Sequence, residues 1–121
     1  MIKRFAGLFA LVGLCFSTPL LPLSFPADSA PRRIEVVAKR FSFEPGTIEL
    51  QKGVPVILVL KSVDVAHGIR FRELNVDVKA PKGGSVEVQF TPEKTGDFVG
   101  HCSVFCGAGH GSMSLKLHVT G

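Results

Sequence analysis

Between Arg32 and Thr120 the apolar side chains recur at every second residue, in short runs separated by turn signals. That period belongs to half-buried strands and not to helices, whose faces repeat every 3.6 residues. TIELQ sets Ile48 and Leu50 against Thr47, Glu49 and Gln51. SVEVQF turns Val86, Val88 and Phe90 one way, and SMSLKLHVT puts Met113, Leu115, Leu117 and Val119 on one face. VPVILVLKS is apolar on both faces and reads as a central strand covered on both sides, with Pro55 near its start. RRIEVVAKRFSF, HGIRF, VDVKA and TGDFVGHC supply the other strands, with turns at EPG, KG and PKGG. Seven or eight short strands and no amphipathic helix predict an all-β sandwich or barrel.

Residues 1–30 read as a separate unit. Lys3 and Arg4 precede a stretch from Phe5 to Ala27 that carries no charge. A basic start followed by an apolar run predicts an export signal or a signal-anchor. The whole uncharged stretch is long enough to approach a bilayer span, although Pro19, Pro22 and Pro26 oppose one straight helix. Cleaved or anchored, the basic end stays inside. Residues 31–121 are therefore expected outside the cytoplasm, in the periplasm or its equivalent, with membrane contact only through residues 5–27 if these are retained. The chain has 14 basic and 10 acidic residues, +4 in all; leaving out Lys3, Arg4 and Asp28 brings the remainder to about +3. With no run of one sign and no Trp or Tyr to stack on bases, nucleic acid is a poor partner.

The densest chemistry lies in CSVFCGAGHGSM, from Cys102 to Met113. In an exported domain two cysteines first suggest a disulfide, yet one joining Cys102 to Cys106 closes too small a loop to stabilise the fold much. A ligand role competes with that reading. Met113 shares the parity of Leu115 and Leu117, so it points inward; alone, it would be core filling. His67 follows the long apolar strand in SVDVAHG and shares parity with Val63 and Val65; alone, it would be a hydrogen-bonded loop residue. His110 sits between glycines; alone, it would be an exposed turn residue. His101 is expected to face away from Cys102, and His118 to share a solvated face with Lys116.

Together these residues weigh differently, because one end of a sandwich can bring the end of the central strand to the loop. Two thiolates, two imidazoles and a thioether make a soft set that favours copper. Zinc could use two Cys and two His but has no need of the Met. A mononuclear blue-copper site would take His67, Cys106, His110 and Met113 and leave Cys102 over. With Cys102 turned into the same pocket, two thiolates can instead bridge two copper ions, with one His on each. A Cys106–His110 nucleophile pair is the enzymatic alternative. It lacks an acid, an orienting partner and a substrate pocket, and a filled ligand set leaves no open position for metal-assisted catalysis by this chain alone.

The pattern C-S-x-x-C-G-x-x-H-x-x-M, preceded by D-V-x-H at Asp64–His67, resembles the binuclear copper A (CuA) domain of cytochrome c oxidase subunit II. It is similar also to the related domain of nitrous oxide reductase. The likeness runs through Asp64–His67, Val76–Gly84 and Cys102–Met113, and so through most of residues 31–121. It implies a cupredoxin-like Greek-key β-sandwich. It implies Cys102 and Cys106 as bridges between two copper ions, His67 and His110 as terminal ligands, and Met113 and the Val104 carbonyl as weak ligands. It also implies a single-electron carrier between a donor such as a c-type cytochrome and an oxidase or reductase. The chain departs from the pattern in three places. Val104 stands where oxidase subunits usually have Glu. Ile69 and Phe71 occupy the stretch where an aromatic residue, often Trp, follows the first His. Residues 1–30 have room for at most one helix, where these subunits commonly carry a helical hairpin. Copper storage, delivery or sensing with the same ligands is the alternative function. Arg70 and Arg72, close after His67, favour a partner with an acidic or neutral face.

Overall fold

Among the residues described by the computed structural model (7, 10, 12–22 and 30–121), nine strands form two sheets. They are β1 (Arg32–Lys39), β2 (Ser42–Glu44), β3 (Thr47–Gln51), β4 (Val56–Ser62), β5 (His67–Phe71), β6 (Val76–Ala80), β7 (Ser85–Phe90), β8 (Gly96–His101) and β9 (Ser114–Thr120). One sheet has the order β2-β1-β4-β7, the other β3-β9-β8-β5-β6. β1 lies parallel to β4, with Arg32 opposite Val56 and Ala38 opposite Ser62. β3 lies parallel to β9, with Thr47 opposite Lys116. The remaining pairs are antiparallel. Parallel neighbours cannot be joined by a tight hairpin, so the chain crosses repeatedly between the sheets and closes them into a sandwich.

The period of two decides what fills it. Val36, Ala38, Leu58 and Leu60 face inward from the first sheet; Ile48, Leu50, Ile69, Phe71, Leu115, Leu117 and Val119 meet them from the second. Each such side chain contributes roughly 1.5–3 kcal/mol when fully removed from water. β4 sits between β1 and β7, and Val59 is buried on its other face, so the uninterrupted apolar run does belong to an inner strand.

The strand count exceeds the expected seven or eight because RRIEVVAKRFSF is two strands. The chain reverses at Arg40 and Phe41, setting Val37 opposite Glu44 and Lys39 opposite Ser42. The sequence gives no warning there, since the reversal uses no Gly, Asn or Pro. The parallel pairing of β1 with β4 carries this turn to the end of the sandwich where β4 stops. β5 begins at that end, β8 finishes there and β9 starts there.

Residues 1–6, 8–9, 11 and 23–29 of the expected export segment lie outside the described residues. Those described within it carry no regular secondary structure. Among the described residues no helix is long and apolar enough to cross a membrane.

Leu117 is fully buried. Leu117→Ala is expected to cost the metal-free domain about 2–5 kcal/mol, whereas Gln89→Ala on the exposed side of β7 should stay within about 0.5 kcal/mol of the parent. Chemical denaturation midpoints check both.

Candidate metal centre

His67 is the first residue of β5, and its ring is fully buried. A tight turn delivers it there: Ser62 Oγ donates to the Val65 carbonyl at 2.7 Å, and the Val65 N–H donates to Asp64 Oδ1 at 2.8 Å. The same oxygen lies 2.7 Å from His67 Nε2. The other carboxylate oxygen, Oδ2, accepts the Arg40 N–H at 2.7 Å. The Arg40 N–H does most to hold the Asp64 carboxyl well below the usual carboxylate range, with the His67 ring and the Val65 N–H adding and burial opposing. An ionised Asp64 fixes the proton of neutral His67 on Nε2. The lone pair of Nδ1 is then free, and it faces Cys102 Sγ at 3.8 Å.

Cys102 follows β8, and its N–H donates to the Met113 carbonyl at 3.1 Å. That bond ties the two ends of the loop together. Within the loop, Gly107 takes a φ of 135°, where a side chain would be strained. One 3-10 turn, His110–Ser112, then brings the chain back to β9. Small residues let the loop seat closely. A Cβ on Gly68 would lie 2.1 Å from Ser103 Oγ, and one on Gly100 would lie 2.6 Å from the Phe71 ring.

The result is a chain of sulfur and nitrogen atoms. Cys102 Sγ and Cys106 Sγ stand 3.8 Å apart, and both cysteines are free. Cys106 Sγ is 3.7 Å from His110 Nδ1 and 3.7 Å from Met113 Sδ. The Val104 carbonyl lies 3.1 Å from Cys102 Sγ. The donor atoms of His67, Cys102 and Cys106 all fall within 4.8 Å of one another, and all three residues are buried. A disulfide would need about 2.04 Å between the sulfurs. A tetrahedral ion that binds sulfur at about 2.3 Å holds two thiolates about 3.8 Å apart. The spacing therefore fits a metal shared by the two thiolates.

All six residues singled out in the sequence (His67, Cys102, Val104, Cys106, His110 and Met113) meet in this pocket. His101 is exposed on β8, opposite Ser114 and Arg70. His118 is exposed on β9 and pairs with Asp97 at 2.5 Å. Two contributors escaped the sequence reading. Asp64 was legible as part of D-V-x-H, and an acid three residues before a candidate ligand is a common way to orient an imidazole. Arg40, whose Nε donates to the Cys106 carbonyl at 3.1 Å, left no signal, because its contact spans two sheets.

Residues 5–113 match the model of the cupredoxin-like domain, and the chain belongs to that family. Within it, the chain is similar to subunit 2 of cytochrome c oxidases. It is 30% identical over 80 residues to cytochrome c oxidase subunit 2 of Thermus thermophilus, a match covering 66% of this chain and 59% of that protein. It is 30% identical over 102 residues to the alternative cytochrome c oxidase subunit 2 of Bradyrhizobium diazoefficiens, covering 84% of this chain and 35% of that one. The chain thus spans between a third and three-fifths of these curated relatives. A chain of a heme-copper terminal oxidase dimer superposes with a TM-score of 0.68 at 27% identity, covering 85% of this chain and 76% of its own. A copper binding protein solved in its apo form gives 0.61 at 27% identity, over 74% and 88%.

Burial, and next the neighbouring Cys102 sulfur, push the Cys106 thiol up to about 11, with the Asp64 charge adding and the Arg40 charge opposing. The metal-free pocket accordingly keeps this proton at neutral pH, and a bound metal must displace it. Copper affinity should fall about tenfold per pH unit below neutrality for each proton displaced. Cys106→Ser should reduce that slope by one proton, as competition titrations at several pH values would show. In the metal-free protein the raised value works the other way. The stabilisation it reports is complete below the unfolded thiol's value of about 8.5 and disappears as pH rises toward about 11.

Proposed function

We propose that this chain is an extracytoplasmic electron-transfer domain whose pocket holds a binuclear copper centre. The observation that carries the reading is the convergence of three sulfurs and two imidazole nitrogens, with successive separations of 3.7–3.8 Å, at one end of a packed sandwich. Cys102 and Cys106 would bridge the two ions, His67 and His110 would complete one ion each, and Met113 and the Val104 carbonyl would bind weakly. Copper in such a set supplies a one-electron couple.

The protein's own part is to keep the donors still and dry. His67 and Met113 are fully buried, and Cys102 and Cys106 are only 5% exposed. His67 is held by Asp64, and Cys102 and Met113 are joined through backbone. Donors fixed before the electron arrives need little rearrangement when charge changes. His110 is only half-buried, and the phenyl ring of Phe105, 79% exposed, leans over it at a centroid distance of 5.5 Å. That is the thinnest cover over the donors, and so the side on which a redox partner would approach. Among the described residues His110 has no carboxylate partner, which removes support from a Cys106–His110 nucleophile pair.

A donor such as a c-type cytochrome and an acceptor oxidase or reductase suit such a domain, and the relatives' names support that setting. The solved periplasmic domain of subunit II of cytochrome oxidase from Bradyrhizobium japonicum, at 20% identity and a TM-score of 0.68 over 74% of this chain and 83% of its own, shares the fold. The basic, apolar start of the sequence supports a periplasmic place. Arg70, Arg72 and His101 line a cleft of 510 Å³ that reaches Cys102 and Ser103, with Glu73 also on its wall. This surface agrees better with an acidic or neutral partner than with a strongly basic one. The likeness to a copper binding protein favours a second reading, in which the same ligands store or deliver Cu(I).

Copper reconstitution of the reduced protein separates these readings. Two copper ions per chain and a stable purple mixed-valence chromophore are expected. Cys102→Ser should halve the copper content and leave a mononuclear spectrum. One blue copper in the parent, or copper that exchanges rapidly with a chelator and forms no oxidised chromophore, contradicts the binuclear electron carrier.

A further inference from the structure

The turn between β1 and β2 belongs to the four-stranded sheet, yet it touches both halves of the candidate centre. The Arg40 N–H donates to Asp64 Oδ2 at 2.7 Å, and Oδ1 of the same carboxylate lies 2.7 Å from His67 Nε2. The Arg40 side chain reaches the other way, and its Nε–H donates to the Cys106 carbonyl at 3.1 Å. Phe41 presses on the same loop. A Cβ on Gly109 would meet the Phe41 ring at 2.4 Å, and one on Gly107 would meet it at 2.9 Å. A reversal of two residues thus grips the histidine through Asp64 and the cysteine loop through Arg40 and Phe41.

We propose that Arg40 is a positioning residue of the centre, and that its guanidinium charge raises the centre's reduction potential. The proposal rests on the copper reading for the potential, but not for the positioning. The peptide that Arg40 holds leads into Gly107, whose φ of 135° is open to few residues. Pinning the Cys106 carbonyl holds that unusual turn in place and thereby the Cys106 sulfur. The bond is charge-assisted and stronger than one between neutral groups. The only carboxylate that Arg40 touches among the described residues is Asp64, and it does so through backbone. Its guanidinium charge is consequently not cancelled by a direct ion pair. Loss of an electron adds positive charge beside Cys106, and a cation held nearby opposes that. The Asp64 carboxylate, on the far side of His67, acts with the opposite sign.

The test uses Arg40→Met, Arg40→Gln, Arg40→Lys and Asp64→Asn in the full chain. Midpoint potentials are read by spectroelectrochemical titration after copper loading, and amide hydrogen exchange over residues 103–112 is read in the metal-free protein. Arg40→Met and Arg40→Gln should lower the potential, and Asp64→Asn should raise it. Arg40→Lys should keep the potential close to that of the parent, because it keeps the charge. All three Arg40 variants should speed exchange in the loop by about tenfold, the loss expected for one hydrogen bond, since lysine lacks the planar Nε–H. A merely loosened loop would shift both kinds of variant in one direction, so opposite signs distinguish charge from slack. Potentials that do not change on removing the arginine charge, or shifts of equal sign for Arg40→Met and Asp64→Asn, overturn the electrostatic claim. Unaltered exchange in all three Arg40 variants overturns the positioning claim. If the parent takes up no copper, the copper reading fails and the potential claim with it, while the exchange measurement still decides whether Arg40 holds the loop.

Discussion

Two reduced sulfurs held 3.8 Å apart in a buried pocket are the constraint around which this structure is arranged. In an oxidising compartment two cysteines four residues apart are prone to join. Here each sulfur has other neighbours in a fixed direction: His67 for Cys102, His110 and Met113 for Cys106. Those neighbours come from separate parts of the chain. His67 opens β5, and the thioether precedes β9; the adjacent strands β9-β8-β5 of the five-stranded sheet set them at one end. Parallel pairing of β1 with β4 then brings the Arg40–Phe41 turn to the same place. The pocket depends on the sandwich as a whole, and local loop chemistry alone would not build it.

The same arrangement explains why the pocket suits electron exchange better than bond-making chemistry. Its donors are soft and converge on one another; the imidazole that Asp64 orients, His67, turns its free nitrogen to Cys102 at 3.8 Å, inside the donor set. The one strongly held carboxylate, Asp64, serves His67 and the backbone of Arg40 and Val65. Val104 offers its carbonyl to the pocket, so the side chain that replaces the usual glutamate need not alter the donor set. The nearby cleft carries Arg70 and Arg72 against a single carboxylate, Glu73.

Much of this was legible in the sequence. The alternation from Met113 to Val119 placed the thioether on the inner face, and each of Met113, Leu115, Leu117 and Val119 is buried. The unbroken apolar run of β4 marked an inner strand. His67 is buried as expected, but not through parity with Val63 and Val65: Val63 is exposed and residues 63–65 bend, so His67 takes its direction from β5, with Ile69 and Phe71. The loop announced its donors because ligand residues must be named in sequence to act in space. What stayed hidden depends on distant pairings. The reversal at Arg40 and Phe41 uses residues with no turn preference, and the run RRIEVVAKRFSF looked continuous because both of its arms alternate. The link from Arg40 to Cys106 joins residues 66 positions apart and needs the fold before it exists. Asp64 stood in a quoted motif, but its hold on His67 depends on a turn geometry that spacing does not specify.

The central claim is that one electron's worth of charge is shared by two metal ions through Cys102 and Cys106. Electron paramagnetic resonance of the copper-loaded, half-reduced protein tests it most directly. The account predicts an unpaired spin split equally between two equivalent copper nuclei, with that pattern lost in Cys102→Ser. A spin confined to a single copper nucleus in the parent protein, unchanged when Cys102 is replaced, would contradict it.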